Sequence, residues 1–310
     1  MGWSDQQKKA EDKAATAADI FTHFSDEDVE QWIRESQDTP AQSAICCAIQ
    51  GLDGTAKSGI VLDCREQEEI DEHKKIFVID VDGSVGPLKA KYWGNDPDII
   101  IIDPVVIDEN GHIDFINTYG KILANVRYLR RHENELNLAA VSLDGLDVLL
   151  KSCEKVMREV DLKLDPDAKV KDQWDWGFRN ERFLEPLILL KRMKCRRFFV
   201  THLKEKKMFL VDPKTRQKSL QTIGFDPVWE STTPNMMFQR IEMTRVEVEP
   251  GLIEIRANVI KCKTNLQLEG QRYVVATVDT RDPDDKKSTW HGLRDFFKDA
   301  SINIVPKRPE

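Results

Sequence analysis

The sequence predicts an α/β fold with a mostly parallel central sheet, helices on both faces and an antiparallel C-terminal extension. Three observations predict it. Short, continuously apolar runs recur along the first two thirds of the chain. Segments with helical spacing separate them, the pattern of parallel strands buried on both faces. Beyond about residue 205 the rhythm shifts to alternating, β-branched segments joined by Pro-Gly and Glu-Gly turns, which suggests an antiparallel extension of the same sheet.

Along the chain, residues 1–18 are polar and rich in Ala and Lys, and a frayed or disordered helix is expected there. A short helix is expected within 19–36, where Ser25-Asp26-Glu27-Asp28 offers a cap and an acidic first turn and Val29, Trp32 and Ile33 share a face. Strands are predicted at 44–50, 76–81, 99–102, 138–143 and 197–201, and helices at 57–65, 118–135, 147–160 and 181–194. Later strands are predicted at 208–211, 245–248, 253–259 and 273–278. The organisation expected is a terminal segment over 1–40, one α/β domain over 41–280 and a tail over 281–310, the tail holding a short amphipathic piece with Leu293, Phe296 and Phe297.

Composition narrows the function classes. The 310-residue chain has a net charge of −8, so nucleic acid must be met through a local basic patch. Its six cysteines form no C-x-x-C pair and several sit in apolar runs, as expected for reduced, buried thiols in an intracellular, cytoplasmic protein. No signal-peptide core and no run of 18 apolar residues is found, so no membrane span is expected.

The segment Gly51-Leu52-Asp53-Gly54-Thr55-Ala56-Lys57-Ser58 has the Walker A spacing G-x-x-x-x-G-K-S, except that Ala56 replaces the last glycine. A predicted strand ends at Gln50 and a predicted helix starts at Lys57. Between them, backbone N–H groups of a tight turn can cradle phosphate. Gly51, Gly54, Thr55, Ala56, Lys57, Ser58 and Gly59 are the expected nucleotide-binding residues, with Lys57 along the β- and γ-phosphates and the Ser58 hydroxyl on Mg²⁺. ATP and Mg²⁺ are the expected cofactors. Ala56 adds a Cβ where glycine is usual, which would distort the turn or weaken binding.

Asp144, at the end of the apolar run 138–143, is the candidate to hold Mg²⁺ through water; the alternative is a cap for the next helix. Gly145 follows it, where many motors place a water-activating glutamate. Ile76-Phe-Val-Ile-Asp80-Val-Asp82 sets two carboxylates at a strand end, expected on opposite faces of the strand. Asp82 resembles, one methylene shorter, the catalytic glutamate that RecA-like ATPases carry after this strand, and is on that likeness the candidate to orient the attacking water; the alternative is a solvated strand terminus. His202, at the end of Phe198-Phe-Val-Thr-His, is a candidate γ-phosphate sensor, or else an ordinary surface histidine.

Together the segments 51–58, 76–82, 138–144 and 198–206 resemble the RecA-like P-loop ATPases, most nearly the small phage and archaeal-virus members related to single-strand annealing and recombination. The resemblance covers roughly residues 42–265. It implies an ATPase that works as a ring or filament on single-stranded DNA. It also implies that Lys261 and Lys263, in Val259-Ile-Lys-Cys-Lys, reach a neighbouring subunit's nucleotide; the alternative is a charged strand edge that guards against aggregation.

For DNA, the stretch 169–182 interleaves Lys171, Arg179 and Arg182 with Trp174, Trp176 and Phe178, and aromatics can stack bases while cations follow phosphates. Packing of Trp174 and Phe178 on the core is the competing explanation. Two further basic clusters, at 127–132 and 191–197, are weaker DNA candidates. Besides the ATPase, three alternatives stand: a nucleotide-binding scaffold with little turnover, a DNA-packaging motor, and a small-molecule kinase.

Overall fold

A computed structural model describes residues 43–301 apart from 95, 166–167, 171, 212–215, 217 and 282–286, together with positions 25, 27, 30 and 31. The chain divides into two compact units, Met1–Ala41 and Gln42–Glu310. Of the first, Glu27, Glu30 and Gln31 are helical and exposed. The remainder of the helix expected within 19–36, and the whole of 1–18, lie outside the described residues.

The second unit is a mixed α/β body on one ten-stranded sheet. In chain order its first half comprises β1 (Cys46–Gly51), α1 (Lys57–Leu62), α2 (Gln67–Asp71), β2 (Lys75–Asp80), α3 (Val85–Tyr92), β3 (Ile99–Ile102), α4 (Phe115–Arg131), β4 (Leu138–Asp144), α5 (Leu146–Val156) and α6 (Trp176–Lys191). The second half comprises β5 (Arg196–Val211), β6 (Lys218–Pro227), α7 (Thr233–Met236), β7 (Gln239–Glu249), β8 (Leu252–Cys262), β9 (Arg272–Asp279), β10 (Lys287–Trp290) and α8 (Arg294–Ser301). The strands lie in the order β10-β9-β8-β7-β1-β5-β4-β2-β3, with β6 paired to β5 alone.

From β7 to β3 every neighbouring pair is parallel. Alternate residues of β1 therefore feed two cores. Cys47 and Ile49 face a core shared with α1 and α8, while Cys46 and Ala48 face one shared with α4, α5 and α6. All six cysteines are free and buried in or beside these cores. Among the described residues, no helix is long and apolar enough to cross a membrane.

Three expectations change. The extension is not antiparallel throughout: β6 pairs antiparallel with the outer half of β5, and β8, β9 and β10 continue antiparallel, but β7 between them pairs in parallel with β1. The two short strands expected at 197–201 and 208–211 are one 16-residue strand. Its outer half pairs only with β6, and the exposed charges Lys204, Glu205, Lys206 and Lys207 interrupt the apolar pattern there. Finally, the segment expected as a tail adds β10 to the sheet edge and buries Phe296 and Phe297 of α8.

Parallel pairing brings the functional ends together. Asp80 sits opposite Asp144 across β2 and β4, and Gly51 opposite His202 across β1 and β5. This carboxyl edge is where open α/β sheets hold ligands.

Candidate nucleotide site

The Gly51–Ser58 loop is a strand–turn–helix, as its spacing predicts: β1 ends at Gly51 and α1 begins at Lys57. Gly51 is fixed by space, since a Cβ there would stand 2.6 Å from Thr55 Oγ1 and 2.8 Å from the Met243 carbonyl. The Thr55 hydroxyl donates to the Leu52 carbonyl at 2.7 Å and tightens the turn. Lys57 is buried, and its ammonium donates to the carbonyls of Gly51 and Leu52 at 3.1 and 3.0 Å. Burial holds its pKa below the usual lysine value, opposed by the charges of Asp144, Asp53, Asp82 and Asp147. Lys57 thus braces the loop from within.

Ala56 occupies the left-handed region, with φ 58° and ψ 28°. This is the physical reason the position favours glycine: an L side chain there costs about 1–2 kcal/mol. Ala56→Gly removes that strain while loosening the unfolded chain, so a net gain of about 0.5–1 kcal/mol is expected in urea unfolding, with tighter phosphate binding.

Asp144 lies behind the loop, 1% exposed. Ser58 hydrogen-bonds its carboxylate, but burial dominates and pushes the carboxyl up to about 7. Its Oδ2 is buried without a hydrogen-bond partner. A buried anionic oxygen left unpaired is costly, and a cation beside it would relieve that cost. The Ser58–Asp144 pair therefore fits Mg²⁺. Among the described residues no trio of His, Cys, Asp or Glu is arranged to hold a metal alone. Mg²⁺ suits such a site, because it keeps several waters and shares its coordination with substrate phosphates. The helix-cap alternative for Asp144 is not what the structure shows: Gly145 is the N-cap of α5, and no side chain caps it.

Asp80 and Asp82 do not lie on opposite faces of a strand: β2 ends at Asp80, and Asp82 stands in the turn that follows. Asp80 is hydrogen-bonded to Asp82, and burial, more than that neighbour, raises its carboxyl to about 6. Asp80 accepts the backbone N–H groups of Ser84 (3.2 Å) and Val85 (2.9 Å), which commits it to opening α3. Asp82 accepts the Ser84 N–H through Oδ1 at 2.9 Å, which leaves Oδ2 facing His202 Nε2 at 3.9 Å.

His202 is the centre of an acidic cluster. Its Nδ1 lies 3.2 Å from Asp147 Oδ1 and its Nε2 3.0 Å from Asp53 Oδ1. With a carboxylate at each nitrogen, both must donate, and the imidazolium is favoured. The hydrogen bond to Asp147 is the main cause raising the His202 pKa, with burial and Lys57 opposing. Asp147 answers in the other direction: burial works against its charge, but His202 outweighs burial and its pKa is lowered. A raised histidine contributes stability in full below its unfolded value of about 6.5 and loses it as pH rises through the folded value. Asp147→Asn should therefore destabilise the fold more at pH 5.5 than at pH 9, and NMR titration should show the His202 pKa falling.

Sequence reading missed Asp53 and Asp147. Asp53 counted only as a variable loop position, and Asp147 as the start of a helix. Each becomes visible only when β1, β4 and β5 align.

The remaining candidates divide. Trp174 is 87% exposed and Phe178 46%, so neither packs in the core. The Arg179 guanidinium lies 4.8 Å from the Trp176 ring centroid. Arg182 is tied to Asp161, its Nε donating to Oδ2 at 2.9 Å. Lys171 lies outside the described residues. Arg127, Arg130 and Arg196 pair with Glu185, Glu133 and Glu69, and Arg197 is fully buried, so much of the two basic clusters is engaged within the fold. Lys261 and Lys263 donate to the carbonyls of Pro234 and Asn235. The register Cys47–Gln239–Cys262 puts them at the amino ends of the parallel strands, away from this chain's own Gly51–Ser58 loop.

No protein-family model matches the sequence, and no curated protein matches it.

Proposed function

We propose that the chain is an Mg²⁺-dependent, RecA-like P-loop nucleoside triphosphatase. The observation that carries this reading is the convergence at one sheet edge of the Gly51–Ser58 loop, the buried Lys57 and the Ser58–Asp144 pair with its unpartnered oxygen. Lys57 neutralises phosphate charge. Ser58 and Asp144 hold Mg²⁺, which when bound supplies charge neutralisation at the phosphates. Asp82 orients the attacking water, and His202 donates toward the terminal phosphate when Asp53 gives way. The strand order supports the reading, because β5, carrying His202, lies between the loop strand β1 and the strand β4 that ends in Asp144.

Single-stranded DNA is the proposed effector, met by Trp174, Trp176 and Arg179 at the start of α6. Assembly into a ring or filament would let Lys261 and Lys263 serve the nucleotide of a neighbour. The test is phosphate release from MgATP with and without single-stranded DNA, in the wild type and in Lys57→Ala and Asp82→Ala. DNA-stimulated turnover lost in both variants supports the enzyme. Tight binding without turnover under any condition supports a nucleotide-binding scaffold, the reading favoured by the strained Ala56. Lys57→Ala should weaken triphosphate binding about 10- to 100-fold, the range for a charge-assisted hydrogen bond.

A further inference from the structure

A cavity of about 410 Å³ opens beside the Gly51–Ser58 loop and runs along the outer side of α1. Gly54 and Ala56 form its loop end, Leu88, Tyr92 and Trp93 one wall, and Val278 and Trp290 the other. Its volume falls in the range of small-molecule sites, and its lining is mostly apolar and aromatic. Trp93 and Trp290 meet edge to face, with centroids 5.9 Å apart at 83°. Trp290 is anchored: its Nε1 donates to Asp63 Oδ2 at 3.0 Å, and its ring lies so close to Gly59 that a Cβ there would stand 2.8 Å from it. Gly59 thus belongs to the site through this wall.

We propose that this cavity is the base subsite of the triphosphate held by the loop, and that it selects adenine. The proposal rests on the nucleotide reading above. A ligand whose phosphates lie on the loop has its nucleoside end free to turn past Gly54 and Ala56, and the flat, apolar cleft they border suits an aromatic base. Guanine carries two adjacent donors on its pairing edge, and a carboxylate would be the natural acceptor. Among the described residues Asp63 is the one carboxylate lining the cavity, and each of its oxygens already accepts a hydrogen bond, Oδ2 from Trp290 and Oδ1 from Arg294 at 2.6 Å. Guanine's two donor groups would have to compete there with the Trp290 indole and the Arg294 guanidinium. Adenine has a single amino group, for which the Ser288 hydroxyl at the rim is an available acceptor.

Titration calorimetry on the full chain with Mg²⁺ tests this, using ATP, GTP and tripolyphosphate as probes. ATP should bind about tenfold or more tighter than tripolyphosphate or GTP, given the usual worth of base–aromatic stacking. Leu88→Trp, which fills the cavity, and Tyr92→Ala, which removes a half-exposed wall, should bring ATP down to the level of tripolyphosphate. Tripolyphosphate affinity within a few-fold of wild type shows that each variant is folded. Equal wild-type affinities for ATP and tripolyphosphate, or undiminished ATP binding in Leu88→Trp, would overturn the subsite and leave the phosphate loop standing. GTP binding as tightly as ATP would overturn the selection of adenine. Failure of all three probes to bind the wild type would sink the nucleotide reading and this one together.

Discussion

Asp82→Asn should lower turnover by about 10²- to 10⁴-fold, the usual contribution of a positioned base, while nucleotide affinity stays within a few-fold. The split follows from geometry. Asp82 takes its backbone hydrogen bond from Ser84 and not from the loop, so the phosphates should lose little when its charge is removed. One of its oxygens is held by the Ser84 N–H, and the other lies 3.9 Å from His202 Nε2, close enough for one water to bridge the pair from the side. Asparagine keeps the shape and the Ser84 bond but cannot take a proton. Asp80→Asn is the matched control. Asp80 accepts two backbone N–H groups at the start of α3, so its loss should appear first as lower stability. Steady-state phosphate release, with calorimetry of MgATP binding, separates the two outcomes. Wild-type turnover in Asp82→Asn would remove Asp82 from the mechanism.

Why Asp82, and not the residue after Asp144, is the proposed acid was only half legible in the sequence. Gly145 could be read there as a missing glutamate, but its reason could not. The backbone at Gly145 has φ 99°, and a Cβ would stand 3.1 Å from both the Asp82 N–H nitrogen and Val81 Cβ. The turn after β4 is packed against the turn after β2, and that contact excludes a side chain at 145 while fixing Asp82. Ala56 is similar: its chemistry could be read, its left-handed φ could not. Continuous apolar runs announced the parallel strands because burial on both faces leaves that mark in any short window. Strands β6 and β10 left no such mark. One pairs only at the sheet's periphery, the other is a four-residue edge, and neither needs an apolar run. The His202 cluster was hidden for another reason: His202 lies on β5, Asp147 in α5, Asp53 in the loop after β1 and Asp82 in the turn after β2, and only the register brings them together.

The C-terminal helix shows the largest gap between a local signal and its consequence. Leu293, Phe296 and Phe297 mark an amphipathic piece, but nothing local says what it covers. It covers the core beneath α1. Phe297 stacks edge-on against Phe198 with centroids 5.3 Å apart, and Phe296 against Tyr273 at 5.7 Å. Phe297→Ala should therefore cost about 3–5 kcal/mol, as for other buried aromatics, whereas Lys298→Ala on the same helix should stay within about 0.5 kcal/mol. Urea midpoints at unchanged slope would measure both. The loss should also reach the nucleotide. Arg294 and Trp290 both bind Asp63 at the end of α1, so α8 and β10 hold the helix that starts at Lys57. Ligand that binds only the folded chain returns stability as RT ln(1 + [L]/Kd), so saturating MgATP should recover part of the deficit in Phe297→Ala. A deficit that MgATP leaves untouched while the wild type is stabilised would mean that the variant has lost the site along with the packing. Recovery equal to that of the wild type would mean that α8 supports the fold without shaping the loop.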